Sequence, residues 1–74
     1  TRPFDIILAN INKNILLDEM EIYVSLLSSK GYLLLSGFYD SDIKDLSKKA
    51  TELGLKLIKT GLKDSWAAII FQKP

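Results

Sequence analysis

The 74-residue sequence contains no cysteine and no histidine. The first absence excludes disulfides and thiol nucleophiles, the second excludes imidazole bases, and together they remove the usual zinc ligand sets. A shortage of cysteine also fits a reducing compartment. Neither sign of charge is in excess: ten Lys and Arg stand against nine Asp and Glu, a formal net charge of +1. That balance argues against a phosphate-driven interface, so no direct nucleic-acid binding is expected. No apolar run approaches the ~20 residues needed to cross a bilayer, and no signal-peptide pattern is visible. A cytoplasmic location without a membrane partner is the resulting expectation. The four glycines, Gly31, Gly37, Gly54 and Gly61, are too scattered to cradle a phosphate or a cofactor.

What is present is apolar patterning. Apolar residues make up 47% of the chain and charged ones 26%, a globular composition. The length allows one domain at most, near the lower limit for a self-supporting core. Phe4 to Ile11 is an apolar run that stops on Asn10-Ile11, and it reads as a strand buried on both faces with one polar side chain at its C-terminal tip. In open parallel sheets that tip is where ligands sit. Asn12 is placed to cap a following helix, on which Leu16, Met20, Tyr23, Val24 and Leu27 recur at helical spacing. Ser28-Ser29-Lys30-Gly31 ends that helix, with Gly31 suited to the left-handed position.

Tyr32 to Phe38 is a second strand, apolar on successive positions as if covered on both faces. Asp40 or Ser41 then caps a second helix, with Ile43, Leu46, Ala50 and Leu53 inward. Lys44, Lys48, Lys49 and Glu52 form a solvated face supported by pairs such as Asp45 with Lys49, and Gly54 closes the helix. A third strand runs from Leu55 to Thr60, Gly61-Leu62-Lys63-Asp64 forms a turn, and Ser65 to Gln72 is the fourth strand. So short a link permits only an antiparallel hairpin. The reading is an α/β chain of order β-α-β-α-β-β.

Particular words in the sequence carry a family likeness. Phe4-Asp5-Ile6-Ile7-Leu8-Ala9-Asn10-Ile11 resembles the fourth-strand motif of the bacterial ribosomal protein L11 methyltransferase family. Gly31-Tyr32-Leu33-Leu34-Leu35-Ser36-Gly37-Phe38 is similar to that family's next strand, and Leu53-Gly54-Leu55-Lys56 and Ser65-Trp66-Ala67-Ala68-Ile69-Ile70-Phe71 resemble its close. The resemblance covers the whole chain in order. It implies the C-terminal half of a Rossmann-like, S-adenosylmethionine-dependent catalytic domain, with the last strand antiparallel and inserted to give the order 1-2-4-3. Residues 1–74 would then be a single partial domain. The family's glycine-rich cofactor loop and N-terminal substrate domain are not in this sequence, so the chain alone is expected to be inert.

The same resemblance places Asn10 as the catalytic asparagine, with Asn10 and the adjacent Ile11 contributing to S-adenosylmethionine binding. The implied partner of the parent enzyme is a ribosomal protein, methylated on lysine or N-terminal amines. An asparagine oxygen suits a neutral amine, since it accepts an N–H and aims the lone pair without adding charge. Ala9-Asn10-Ile11-Asn12 also differs from the Asn-Pro-Pro-Tyr of glutamine and adenine amino-methylases, which favours a flexible alkyl amine. Ser36 and Gly37 are expected to border the cleft, and Tyr39 and Asp40 to line the substrate approach. Asn12 is read as a helix cap, and Trp66 as hairpin packing with no catalytic role. No metal site is expected. Two rival readings are a non-catalytic module that forms a homodimer through the edge of its first strand, and a response-regulator-like domain. The latter lacks the acidic cluster expected after strand one.

Overall fold

A computed structural model describes residues 4–74. The elements are β1 (Phe4–Asn10), α1 (Lys13–Leu26), β2 (Leu27–Tyr39), a 3-10 turn (Asp40–Asp42), α2 (Ile43–Glu52), β3 (Lys56–Lys63) and β4 (Trp66–Gln72). They form one four-stranded sheet of order β1-β2-β4-β3. β1 lies parallel to β2, and β4 is antiparallel to both of its neighbours. The inserted strand is thus the last one, as the family resemblance implies. Burial explains why β4 takes the inner place: Ala67, Ile69 and Phe71 are buried, whereas every position of β3 is exposed. Lys56, Lys59 and Lys63 suit β3 to a sheet edge, where charge discourages further pairing.

Both helices cover the same face of the sheet. Leu16 and Met20 of α1 and Leu46 and Ala50 of α2 form one buried cluster with Leu33, Leu35, Ile69 and Phe71. The opposite face is open, which corrects the expectation of strands buried on both sides. Ile6 and Leu8 are 58% and 73% exposed, and Tyr32 beside Ile6 is 39% exposed. Their apolarity is what a covered face requires, and no layer covers them among the described residues. β1 is also an edge strand, with one side free of partners among the described residues.

Local chemistry accounts for the element ends, with some corrections. Asn12 caps α1 as expected, its side-chain oxygen accepting from Ile15 N–H at 3.1 Å. No left-handed residue ends α1: the helix stops at Leu26, Leu27 is already extended, and the positive φ nearby belongs to Lys30 within β2, at +70°, not to Gly31. The glycine is needed one place later for close approach, since a Cβ there would lie 2.9 Å from Ser28 O and 3.0 Å from Asp5 O. The hairpin turn is Asp64-Ser65, with φ +50° and +70°, not Gly61 to Asp64. Two successive positive φ values make a tight turn that matches strand twist, so β3 continues through Gly61 to Lys63. α2 is preceded by the 3-10 turn, and Asp42 rather than Asp40 or Ser41 reaches back to accept Tyr39 N–H at 3.2 Å. Asp45 pairs with Lys13 of α1 at 2.7 Å, not with Lys49. That contact ties the start of α1 to α2. It holds the Asp45 carboxyl below its ordinary value, chiefly through the hydrogen bond from Lys13. Tyr23 donates to Glu19 at 2.7 Å, and burial, then that bond, pushes its phenol up to about 12.

The C-terminal end of α1 has no basic residue in its own last turn. Lys73 supplies the charge from beyond β4, donating to Val24 O at 3.0 Å and Leu27 O at 2.9 Å. An ammonium at a helix C-terminus satisfies orphan carbonyls and complements the helix dipole. Lys73→Met is therefore expected to cost about 1–2 kcal/mol in urea unfolding. An unchanged midpoint would show that the contact is idle.

Candidate active site

The C-terminal tip of β1 delivers Asn10 to the open side of the sheet, opposite Ser36 of β2. Ser36 in turn faces Ala68 of β4, and Ala68 faces Gly61 of β3. One row of short side chains therefore crosses all four strands, and it floors a cleft of about 770 Å³. Ile11, Gly37 and Trp66 also line this cleft. Lys63 is its charged lining residue, and no carboxylate lines it among the described residues. Across the described residues, no three His, Cys, Asp or Glu side chains converge as metal ligands would.

The contact between Asn10 and Gly37 is the tightest feature of the site. Gly37 has φ +90°, a conformation that side chains disfavour. A Cβ on it would lie 2.4 Å from Asn10 Oδ1, 3.1 Å from Ile11 N and 3.2 Å from Ile11 O. The missing side chain thus leaves a hollow that Asn10 and the Ile11 backbone occupy. The irregularity in the β2–β4 ladder between Ser36 and Phe38 lies at this point. It returns Phe38 to the core, where it is 1% exposed.

Asn10, Ile11, Ser36 and Gly37 are thus brought together around one cleft. Tyr39 is not in it; it lines an adjoining hollow with Lys13 and Asp42. Asp40 lines neither space, because the 3-10 turn carries it outward to an exposed position. Trp66 is not buried hairpin packing: it is about half exposed and stacks on Tyr39. Lys63, Gly61 and Ala68 were not singled out from the sequence. The strand order 1-2-4-3 is the signal that could have found them, since it sets Ala68 beside Ser36.

A mixed sheet of order β1-β2-β4-β3, with its last strand antiparallel and inserted, is a sheet of the methyltransferase type. The crystal structure of a ribosomal protein L11 methylase from Lactobacillus delbrueckii subsp. bulgaricus matches all of this chain and 39% of its own, at TM-score 0.91 and 24% identity. The N-methyltransferase NodS from Bradyrhizobium japonicum matches all of this chain and 53% of its own, at TM-score 0.71 and 16% identity. At those identities the likeness concerns the fold. The family model described as ribosomal protein L11 methyltransferase (PrmA) matches residues 1–74, and the chain belongs to that family. A relative of that name from Porphyromonas gingivalis is 54% identical over 68 residues, covering 92% of this chain and 23% of the relative. Another from Bacteroides thetaiotaomicron is 45% identical over 69 residues, covering 93% and 25%. The chain therefore spans about a quarter of the length of these relatives. No helix among the described residues is long and apolar enough to cross a membrane.

Proposed function

We propose that the full-length protein transfers methyl groups from S-adenosylmethionine to amino groups of a large-subunit ribosomal protein, on lysine side chains or the N-terminal amine. The observation that carries this reading is the seating of Asn10 on Gly37 at the rim of the cleft, at the tip of a parallel strand. The names of the relatives supply the ribosomal protein as acceptor. S-adenosylmethionine would supply an electrophilic methyl group with sulfur as its leaving group, Asn10 and Ile11 would hold that end of it, and solvent would take the amine's proton.

Residues of this chain fit one end of that cofactor. Asn10 Oδ1 and the Ile11 backbone stand together where the Gly37 side chain is missing, close enough to meet a small polar group. Asn10 accepts an N–H of the neutral amine and aims its lone pair, which is the positioning that an in-line displacement requires. Ser36 and Gly37 shape the same rim. Lys63 disfavours a second cation in the cleft and so favours the deprotonated, nucleophilic amine. The open sheet face and free edge of β1 are consistent with a catalytic domain whose remaining layer and cofactor loop come from other sequence, and the 74 residues alone are inert on this reading. The self-associating module rests on that same free edge, without further support.

The test is a methylation assay of the full-length protein on recombinant ribosomal protein L11, with mass spectrometry locating the methyl group. Transfer to amine nitrogen is expected, and transfer to any other atom would overturn the reading. A backbone amide NMR titration of the 74 residues with S-adenosylmethionine should give no saturable shifts. Shifts centred on Asn10, Ile11 and Ser36 would mean that this part alone carries a usable site.

A further inference from the structure

Tyr39 and Trp66 are register partners across the β2–β4 ladder, and their rings stack with centroids 4.8 Å apart at 22°. Aromatic pairs ordinarily repay their ordering by burying most of both rings. Here Tyr39 remains 53% exposed and Trp66 52%, so the fold gains little from the stack. Trp66 lines the cleft that Asn10 borders, whereas Tyr39 lies in the adjoining hollow. The indole thus borders the cleft while stacking on a ring that belongs to the adjoining hollow.

The charge of the cleft sharpens the point. Lys63 lines it and no carboxylate does among the described residues, so an incoming ammonium finds no ion-pair partner there. What remains for capture is the Asn10 oxygen and an aromatic surface. An indole face attracts a cation and packs equally well against a methylene stem, so it serves the acceptor before and after deprotonation.

We propose that Trp66, held in place by Tyr39, is the wall along which the acceptor's aliphatic side chain lies on its way to Asn10. The pair then selects an amine on an aliphatic carbon over a planar amide or base acceptor. This rests on the amine-methylation reading above. Trp66 is the substrate-contacting residue and Tyr39 is a positioning residue that acts through it.

Steady-state kinetics of the full-length protein, with recombinant ribosomal protein L11 as acceptor and S-adenosylmethionine as donor, tests the wall. Trp66→Leu should raise the acceptor KM about tenfold, with kcat and the S-adenosylmethionine Kd changed less than about threefold. Trp66→Phe should recover most of the affinity. Tyr39→Leu should raise KM by a smaller factor, and Tyr39→Phe should restore it. An unmoved KM in Trp66→Leu, or an equal loss of S-adenosylmethionine affinity, overturns the proposal. If Trp66→Leu does not fold, fluorescence decides: the emission lost in Trp66→Phe must respond to ribosomal protein L11 and not to S-adenosylmethionine alone, and silence overturns it. Normal amine transfer with an unmoved KM sinks the wall alone. Failure of the wild type to methylate an amine sinks the parent reading as well.

Discussion

Gly37→Ala is expected to lower methyl transfer by the full-length protein about a hundredfold, because a misplacement near 1 Å at a reacting group costs that much. Two separate effects act at the position. The φ of +90° penalises any side chain, at about 1–3 kcal/mol of stability. The added methyl would also stand 2.4 Å from Asn10 Oδ1, far inside contact distance. The amide is the mobile end of a side chain, so it turns away from the amine before the strands part. Gly54 is the natural control: its φ is also +90°, but a Cβ there meets nothing within 4 Å. Gly54→Ala should therefore lose stability of the same order with kcat intact. Equal kcat losses in both variants would mean that Gly37 acts only through the backbone.

Asn10→Ala should leave the fold intact, since the residue is exposed at a strand tip. We expect kcat to fall by about two orders of magnitude while the S-adenosylmethionine Kd changes less than about threefold, the signature of an interaction made chiefly in the transition state. Equal losses in both constants would leave Asn10 a cofactor ligand or a structural residue with no part in aiming the amine. Asn10→Asp provides the charge test. A carboxylate beside the amine stabilises its protonated form and raises the acceptor pKa, so the rate at neutral pH should fall and the pH–rate profile should move upward. A profile that stays in place would show that the side chain does not face the acceptor nitrogen.

These outcomes depend on features that differ in how far the sequence reveals them. The order of elements is legible because periodicity reports local burial: Leu16 and Met20 mark a helix face, and the apolar run of β2 marks a strand. The tip position of Asn10 follows from the abrupt end of the β1 run. The opposite face of β1 misleads for the same reason. Ile6 and Leu8 carry the pattern of a covered face yet stand 58% and 73% exposed, and a pattern cannot say which residues, if any, lie over them. Turn positions were poorly legible as well. Gly31 and Gly61 both invite a turn, yet Gly31 sits under a close backbone crossing and Gly61 lies within β3 at the cleft floor. Asp64 and Ser65 adopt the turn conformation, which polar residues tolerate without announcing it.

By itself, the sequence determined the α/β alternation, the antiparallel close, the capping of α1 by Asn12 and, through resemblance, the family and the place of β4. These are local or short-range consequences of side-chain type, spacing and link length. The tertiary structure alone decided that Gly37 underlies Asn10, that Lys73 caps a helix 46 residues away at Leu27, and that Trp66 meets Tyr39 at the cleft. Each joins residues distant in the chain that strand pairing brings together, and a register shift of one residue would turn Asn10 and Trp66 to the other face of the sheet.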